Sequence, residues 1–177
     1  MQVSPLYSTA PERCSERAGR CFALLDRLGI PYLRLEHDPA ETMELCAAIS
    51  DALRVRICKN LFLCNRQQTA FYLLAMPENK PFYTKDLSRQ IGSSRLSFAP
   101  PERMEELLGC SPGSASVLGL AEDRGCRVRL LLDCEVAAAE RFACHPCDNT
   151  GSLSMATRDL LERFLPAVGH GYDVVEL

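Results

Sequence analysis

Two adjacent polar residues, Lys59 and Asn60, interrupt the otherwise apolar segment Ile57-Cys58-Lys59-Asn60-Leu61-Phe62-Leu63. A buried strand is normally continuously apolar or strictly alternating, and two neighbouring polar residues fit neither pattern. A buried charge without a partner is costly. Lys59 therefore either reaches solvent from an edge strand or faces a cleft that binds an anion. The segment by itself leaves both interpretations open.

A second group with chemical potential is the loop Gly113-Ser114-Ala115-Ser116, which lies in a stretch rich in small residues. Glycine and small side chains allow a ligand to approach the main chain closely. Consecutive backbone N–H groups can then bind an anion or polarise a carbonyl. Such loops are also common as simple turns, so this pattern alone does not establish a site.

His145 is the third candidate, within Cys144-His145-Pro146-Cys147. A lone histidine is more often structural than catalytic, but the following proline restricts its backbone and fixes its direction. The two cysteines form a single C-x-x-C without a second ligand pair, which is weak support for zinc. We expect no metal and no cofactor. Most of the ten cysteines lie in apolar contexts, where they act as small buried side chains.

Composition excludes several classes of protein. The chain has 177 residues and a net charge of −3, so any RNA contact must be local, through a few basic residues such as Arg54, Arg56 and Arg66 beside Lys59. A solvated charged face explains that cluster equally well. Common motifs of hydrolases, zinc proteases and nucleotide-binding proteins are absent. With no apolar run long enough for a bilayer and no visible secretory signal, we expect a cytoplasmic protein.

The elements that must position these groups follow from periodicity. Helical spacing is predicted over residues 11–28 and 41–53, the latter with Met43 and Ala47 facing inward. Two strands, 57–64 and 69–75, are separated by a short polar loop that is typical of a β-hairpin. Further short strands are predicted at 96–98, 128–132, 152–155 and 172–175. The expected fold is one mixed α/β domain over residues 1–177, with a central mixed, largely antiparallel sheet surrounded by helices.

The ordered combination of short motifs resembles the YbaK/prolyl-tRNA editing superfamily, and in particular its free-standing alanyl-tRNA(Pro) deacylase branch. The resemblance extends from about residue 20 to residue 177. Each piece is unremarkable alone, and it is their order that is specific. The motifs are Lys59-Asn60-Leu61-Phe62-Leu63, Gly109-x-x-Pro112-Gly113-Ser114, Leu118-Gly119-Leu120, His145-Pro146-x-x-Asn149-Thr150 and Gly169-His170.

The resemblance implies a hydrolase that acts in trans on the ester between a wrong amino acid and the 3′ end of proline tRNA, without a metal or a covalent intermediate. Lys59 would hold the terminal phosphate or adenosine, and Asn60 would orient the substrate. The Gly113 loop would bind the ester carbonyl, and His145 would shape the aminoacyl pocket. The implied substrate-binding residues are Ser114, Ala115, Ser116, Gly119 and Asn149. The acceptor end of tRNA(Pro) is the implied partner, with prolyl-tRNA synthetase as a second one.

The chain departs from the family pattern at one position. Many relatives have G-x-x-x-P in this loop, whereas Val117 stands here in place of the proline. The loop therefore loses a backbone restraint, which affects the shape of the pocket and the preferred amino acid. The alternatives are a cysteinyl-tRNA(Pro) deacylase, a non-catalytic module that senses aminoacyl-tRNA or a proline-like ligand, and a thiol or metal protein built on Cys144 and Cys147. The sequence does not give the oligomeric state.

Overall fold

The computed structural model describes residues 3–39 and 43–177. Its helices are α1 (Glu16–Arg27), α2 (Met43–Leu53), α3 (Thr84–Gln90), α4 (Pro101–Leu108), α5 (Cys134–Ala138), α6 (Thr157–Asp159) and α7 (Leu165–Ala167), with a 3-10 helix at Val117–Ala121 and a π-helical turn at Leu160–Phe164 joining α6 to α7. Its strands are β1 (Tyr32–Glu36), β2 (Cys58–Asn65), β3 (Phe71–Pro77), β4 (Leu96–Phe98), β5 (Val128–Asp133), β6 (Arg141–Cys144), β7 (Gly151–Ala156) and β8 (Tyr172–Val175).

The larger sheet has five strands in the order β4-β2-β3-β5-β8. Strands β2 and β3 form the predicted antiparallel hairpin, and β4 adds antiparallel to the other side of β2. Strands β5 and β8 continue the sheet in parallel to β3. A short turn is enough to join antiparallel neighbours, whereas parallel neighbours need longer crossovers. The long connection between β3 and β5 contains α3, β4 and α4, which supply that crossover.

A second, three-stranded antiparallel sheet has the order β1-β7-β6. The mixed and largely antiparallel α/β class is confirmed, but the strands divide between two sheets instead of forming one central sheet. Strand β6 was not predicted from the sequence. It is only four residues long, and its apolar residues Phe142 and Ala143 are adjacent. It therefore shows no alternation of polar and apolar residues that would distinguish a strand from a loop.

Strand β3 is buried along its whole length because apolar side chains cover both of its faces. Leu73 and Ala75 belong to the main core, which lies on the side of α1 and the smaller sheet. Leu74 and Met76 point the other way into a second cluster beneath α3. Alternate residues of a strand face opposite sides of its sheet, so a fully apolar run is what a strand with two covered faces requires.

The first two helices differ in detail from expectation. Helix α1 begins at Glu16, after Ser15, whose hydroxyl accepts a hydrogen bond from the Ala18 backbone N–H and so caps the helix. In α2, Ala47 is exposed, and the side chains that face the core are Leu45, Ile49 and Leu53. The inward orientation predicted for Ala47 was wrong because the larger apolar residues define the buried face. Met43 begins α2, but its side chain and residues 40–42 lie outside the described part.

Within the part of the chain that the structure describes, every helix is too short or too polar to span a bilayer.

Candidate active site

A cavity of about 420 Å³ opens beside β2 and is lined by residues of the larger sheet, of helices α2 and α4, and of the connecting loops, including the loop that follows β6. Five of the nine predicted site residues line it: Lys59, Asn60, Gly113, Ala115 and His145. Its other lining residues are Cys46, Ile57, Cys58, Leu61, Phe62, Glu78, Phe98, Ala99, Pro101, Met104 and Pro112.

Strand pairing explains why Lys59 and Asn60 interrupt an apolar strand. On one side β2 pairs with β3 along its length, and Lys59 lies opposite Met76. On the other side β4 pairs only with the segment from Leu63 to Asn65. The earlier part of β2 is therefore not covered by β4, and the cavity lies beside it. Lys59 therefore lies both at an uncovered edge of β2 and in a cleft, so the structure combines the two interpretations.

The Lys59 ammonium is held by the main chain of a neighbouring loop. It donates a hydrogen bond of 2.6 Å to the carbonyl oxygen of Lys80. The Lys80 ammonium in turn bonds to the carboxylate of Asp133, at 2.9 and 3.2 Å, and to Glu135 at 3.0 Å. Because an ammonium has three donors, one bond to Lys80 leaves two for a ligand. Arg54, Arg56 and Arg66 are exposed and do not line the cavity.

Asn60 presents an acceptor without a partner. Its Oδ1 atom is buried and has no hydrogen-bond partner among the described residues, while its Nδ2 makes one long bond of 3.5 Å to the Cys58 carbonyl. Buried polar groups are nearly always hydrogen-bonded in native proteins, so an unpartnered one requires an explanation. A ligand that donates an N–H or O–H in this cavity would satisfy it.

The small-residue loop offers two backbone donors to the cavity. The Ser114 N–H is already bonded to the Ser111 carbonyl at 3.0 Å, and the Ser116 N–H bonds to the sulfur of Cys110. No bond from the amides of Gly113 and Ala115 is found within residues 3–39 and 43–177. Both of these residues line the cavity. Gly113 has a φ of 85°, a conformation that favours glycine.

The two serines of this loop shape it from inside. The Ser114 hydroxyl closes a turn by bonding to the Ser111 carbonyl at 2.9 Å. The Ser116 hydroxyl donates to the His145 carbonyl at 2.6 Å and accepts from the Leu118 N–H, which caps the 3-10 helix. Val117 is fully buried in the main core. Burial and capping therefore restrain the loop at the position where many relatives have proline.

Two predicted substrate-binding residues lie away from the cavity. An ideal Cβ on Gly119 would approach the Leu108 carbonyl oxygen to 2.6 Å and the sulfur of Cys110 to 3.1 Å, so glycine is needed where the 3-10 helix packs on α4. The position of Gly119 is thus explained by packing. Asn149 lies beside Gly113 but lines a neighbouring surface depression together with Ser111 and Asp148.

His145 joins the cavity from the end of β6, in the smaller sheet. Its Nδ1 atom lies 2.8 Å from the Gly151 carbonyl oxygen and 3.2 Å from the Ser152 hydroxyl. Burial lowers the pKa of the imidazole below its usual value, and the neighbouring His37 lowers it further, against the Gly151 carbonyl and Asp148, which raise it. The ring is therefore neutral at neutral pH.

Two cysteines that line the cavity are poor nucleophiles. Burial raises the pKa of the Cys58 thiol to about 12. Burial, with the nearby Glu78 carboxylate, also raises the pKa of Cys46. The thiolate is the reactive form of cysteine, so both groups are almost entirely in the unreactive form at neutral pH. Cys144 and Cys147 are buried in the main core, and among the described residues no group of three or more His, Cys, Asp or Glu side chains is arranged to hold a metal.

Sequence reasoning missed the apolar wall of the cavity. Phe98 on β4 is 65% exposed, and Met104 on α4 lies nearby in the lining. No local signal marks Phe98, since a single aromatic residue in a three-residue strand looks like any strand residue. Its exposure in the folded chain is what identifies it, because a large aromatic side chain at the mouth of a cavity is available to a flat ligand.

Comparison with known proteins places this geometry in a family. The family model of the aminoacyl-tRNA editing domain matches residues 37–163. Prolyl-tRNA editing protein ProX of Acetoanaerobium sticklandii is 32% identical over 156 residues, which is 88% of this chain and 94% of that protein. Prolyl-tRNA synthetase associated domain-containing protein 1 of Danio rerio is 30% identical over 171 residues, 90% of this chain and 92% of that protein.

A solved structure described as a candidate trans-editing enzyme for prolyl tRNA synthetase superimposes with a TM-score of 0.67 at 19% identity and covers 93% of this chain and 98% of that one. At 19% identity this match shows the fold alone. The fold is the YbaK-like fold that the sequence motifs indicated. The model match and the sequence relatives cover most of the chain, and the predicted motif residues Lys59, Asn60, Gly113 and His145 meet in one cavity. The chain belongs to the aminoacyl-tRNA editing domain family.

Proposed function

We propose that this protein is a trans-editing hydrolase that deacylates mischarged tRNA(Pro), with alanyl-tRNA(Pro) as its preferred substrate. The observation that carries the proposal is the single cavity that brings Lys59, Asn60, His145 and the free amides of Gly113 and Ala115 together. The 32% identity to a prolyl-tRNA editing protein supports the choice of tRNA.

The residues that line the cavity suit both parts of an aminoacyl-adenosine. Lys59 provides a point charge for the phosphate that precedes the terminal nucleoside. The exposed ring of Phe98 offers a stacking surface for the adenine base, a contact that tolerates any base. The aminoacyl group then lies toward His145 and the loop that contains Gly113.

Hydrolysis in this site relies on positioning and on polarisation of the carbonyl. The amides of Gly113 and Ala115 donate to the ester carbonyl oxygen as it gains negative charge. Water attacks the carbonyl carbon, the bond from that carbon to the ribose oxygen breaks, and the ribose oxygen takes up a proton as the free amino acid leaves. Because the cavity thiols Cys46 and Cys58 are protonated, we propose no covalent enzyme intermediate. The family resemblance assigns the assisting hydroxyl to the terminal ribose.

A separate editing enzyme for alanine has a physical reason. A synthetase pocket built for proline excludes a smaller amino acid by only about 1–3 kcal/mol. A second site that admits only the smaller acid removes the error. The Lys59-Asn60 motif favours alanine over cysteine as the residue removed.

The remaining parts of the proposal concern the setting. The acceptor end of tRNA(Pro) is the binding partner, and prolyl-tRNA synthetase is the protein whose errors are corrected. The chain acts as one domain, in the cytoplasm, where aminoacyl-tRNA is used for translation.

The test is deacylation of Ala-, Cys-, Ser- and Pro-tRNA(Pro) by the wild-type protein and by Lys59→Ala. We expect hydrolysis of Ala-tRNA(Pro), and a loss of about 100-fold or more in kcat/KM in the variant, because the phosphate anchor and its charge are removed together. Lys85→Ala, which removes an exposed lysine on α3, is the matched control and should keep full activity.

Preferential hydrolysis of Cys-tRNA(Pro) would contradict the choice of alanine and support the cysteinyl-tRNA(Pro) alternative. Binding of Ala-tRNA(Pro) without hydrolysis of any of the four would overturn the enzymatic proposal in favour of a binding module.

A further inference from the structure

Behind the cavity, His145 is one end of a short chain of buried hydrogen bonds. The Ser152 hydroxyl on β7 lies 3.2 Å from Nδ1 of His145 and 2.9 Å from Nε2 of His37. Nδ1 of His37 lies 2.7 Å from the Asp38 carbonyl oxygen. His37 and Ser152 are 6% and 1% exposed, and the two imidazole rings lie 5.8 Å apart. Neither His37 nor Ser152 lines the cavity.

The positions of the hydrogens in this chain follow from the partners. A carbonyl oxygen can only accept, so His37 must carry its hydrogen on Nδ1, which faces Asp38. In the neutral ring Nε2 is then an acceptor and takes the hydrogen of the Ser152 hydroxyl. The Ser152 oxygen is left to accept from His145, whose Nδ1 also faces the Gly151 carbonyl. His145 therefore carries its hydrogen on Nδ1, shared between Gly151 and Ser152.

We propose that Ser152 and His37 are positioning residues, which act together with the Gly151 carbonyl to hold His145 in the Nδ1–H tautomer and thereby present its Nε2 as a hydrogen-bond acceptor to the substrate. His37 acts through Ser152. Because the Ser152 hydroxyl donates its hydrogen to Nε2 of His37, it cannot donate that hydrogen to His145. The opposite tautomer of His145 would be compatible with Ser152 only if that hydroxyl were free to turn.

The consequence of this tautomer for substrate binding rests on the proposed function. The aminoacyl ester carries an α-ammonium group, which is a strong donor and accepts nothing. An Nε2 acceptor on His145 attracts it, whereas an Nε2–H would repel it. With the unpartnered Oδ1 of Asn60, the cavity then contains two acceptors for the charged end of the amino acid.

The tautomers can be read directly by long-range proton–nitrogen NMR of histidine-labelled protein. The chain has three histidines, and the third is an internal reference of opposite type. Nε2 of His170 lies 3.1 Å from the Asp123 carbonyl oxygen and 3.6 Å from the Asp123 carboxylate, so His170 carries a hydrogen on Nε2. We expect Nδ1–H patterns for His37 and His145, with His145 assigned from a His145→Gln variant. An Nε2–H or doubly protonated His145 at neutral pH would overturn the proposal.

Variants test the positioning roles. Ser152→Ala removes the hydroxyl, and His37→Phe releases its hydrogen. In both we expect a minor Nε2–H population to appear at His145, limited by the Gly151 carbonyl, which still accepts from Nδ1–H. The matched control is Ser154→Ala, which removes another fully buried hydroxyl from the same strand, one bonded to Arg141. In the control the His145 pattern should not change.

Kinetics with Ala-tRNA(Pro) give the second readout. We expect kcat/KM to fall about five- to tenfold in Ser152→Ala and His37→Phe, the effect of losing one orienting hydrogen bond, and to stay unchanged in Ser154→Ala. Lower stability with an unaltered tautomer and unaltered kcat/KM would show a purely structural role and refute the proposal. If the wild type hydrolyses no aminoacyl-tRNA, the proposed function fails, and the NMR result alone then decides whether Ser152 and His37 fix His145.

Discussion

Replacing Lys80 by methionine should cost this protein a large part of its stability, although Lys80 lies on a loop. Methionine is unbranched like lysine and one atom shorter, and it removes the ammonium group with its charge and its three hydrogen-bond donors. The Asp133 carboxylate is 0% exposed and accepts two contacts from the Lys80 ammonium, at 2.9 and 3.2 Å, and one from the Glu135 N–H at 3.0 Å. These bonds raise the pKa of Lys80 well above its usual value. In the variant, Asp133 keeps the bond from the Glu135 N–H and a long contact of 3.9 Å from the Cys134 thiol.

Removing one partner of a buried ion pair typically costs about 3–5 kcal/mol, because the remaining charge stays buried without compensation. The Lys80 side chain is 17% exposed, so some water can reach the vacated position, and we place the expected loss at the lower end, about 3 kcal/mol. For a chain of this size, that corresponds to a fall in Tm of about 6–12 °C.

The assay is urea unfolding followed by circular dichroism. Arg129→Met is the matched control, since it breaks the pair with Asp173, in which both side chains are about half exposed, and should cost below about 1 kcal/mol. Adding Asp133→Asn to Lys80→Met should recover part of the loss, because a neutral amide does not need a cation. If Lys80→Met were no more destabilising than Arg129→Met, Asp133 could not be a buried charge that depends on Lys80.

Two further predictions separate packing from ligand contact. Gly119→Ala should lower the free energy of unfolding by about 1–3 kcal/mol, since the new Cβ meets the Leu108 carbonyl, while kcat/KM of the folded protein stays the same; lost activity at unchanged stability would instead put Gly119 in the site. Phe98→Ala should raise KM for Ala-tRNA(Pro) about 5- to 150-fold by removing about 1–3 kcal/mol of base stacking, with little change in kcat. Tyr83→Ala, which removes an aromatic residue of equal exposure outside the cavity, is its control, and equal effects of the two variants would rule out a stacking role for Phe98.

Local sequence patterns predicted the helices and strands whose formation depends on residues close together in the chain. The β2–β3 hairpin and the short strands at residues 96–98 and 172–175 follow from short-range alternation and turns. The division into two sheets does not, because β1 pairs with β7 across more than a hundred residues, from Tyr32 opposite Met155. Nothing within either segment specifies that distant partner.

The same limit of local sequence patterns applies to the candidate site. Lys59 and Asn60 were detectable because they violate the pattern of their own strand, and the cavity explains that violation. Gly119 was assigned to substrate binding from its motif, although its lack of a side chain is required by the Leu108 carbonyl, a contact that appears only in three dimensions. Ser152 and Phe98 fit their strands and gave no signal.

The cavity is assembled from chain segments far apart in sequence, around residues 59, 98, 113 and 145. Contacts of such long sequence separation form late in folding, since loop-closure entropy must be overcome first. A refolding chain that has formed only the β2–β3 hairpin has Lys59 and Asn60 in place but neither the Gly113 amides nor His145 opposite them. Recovery of the proposed hydrolytic activity after denaturation should therefore mark completion of the tertiary structure, at a later time than recovery of secondary structure.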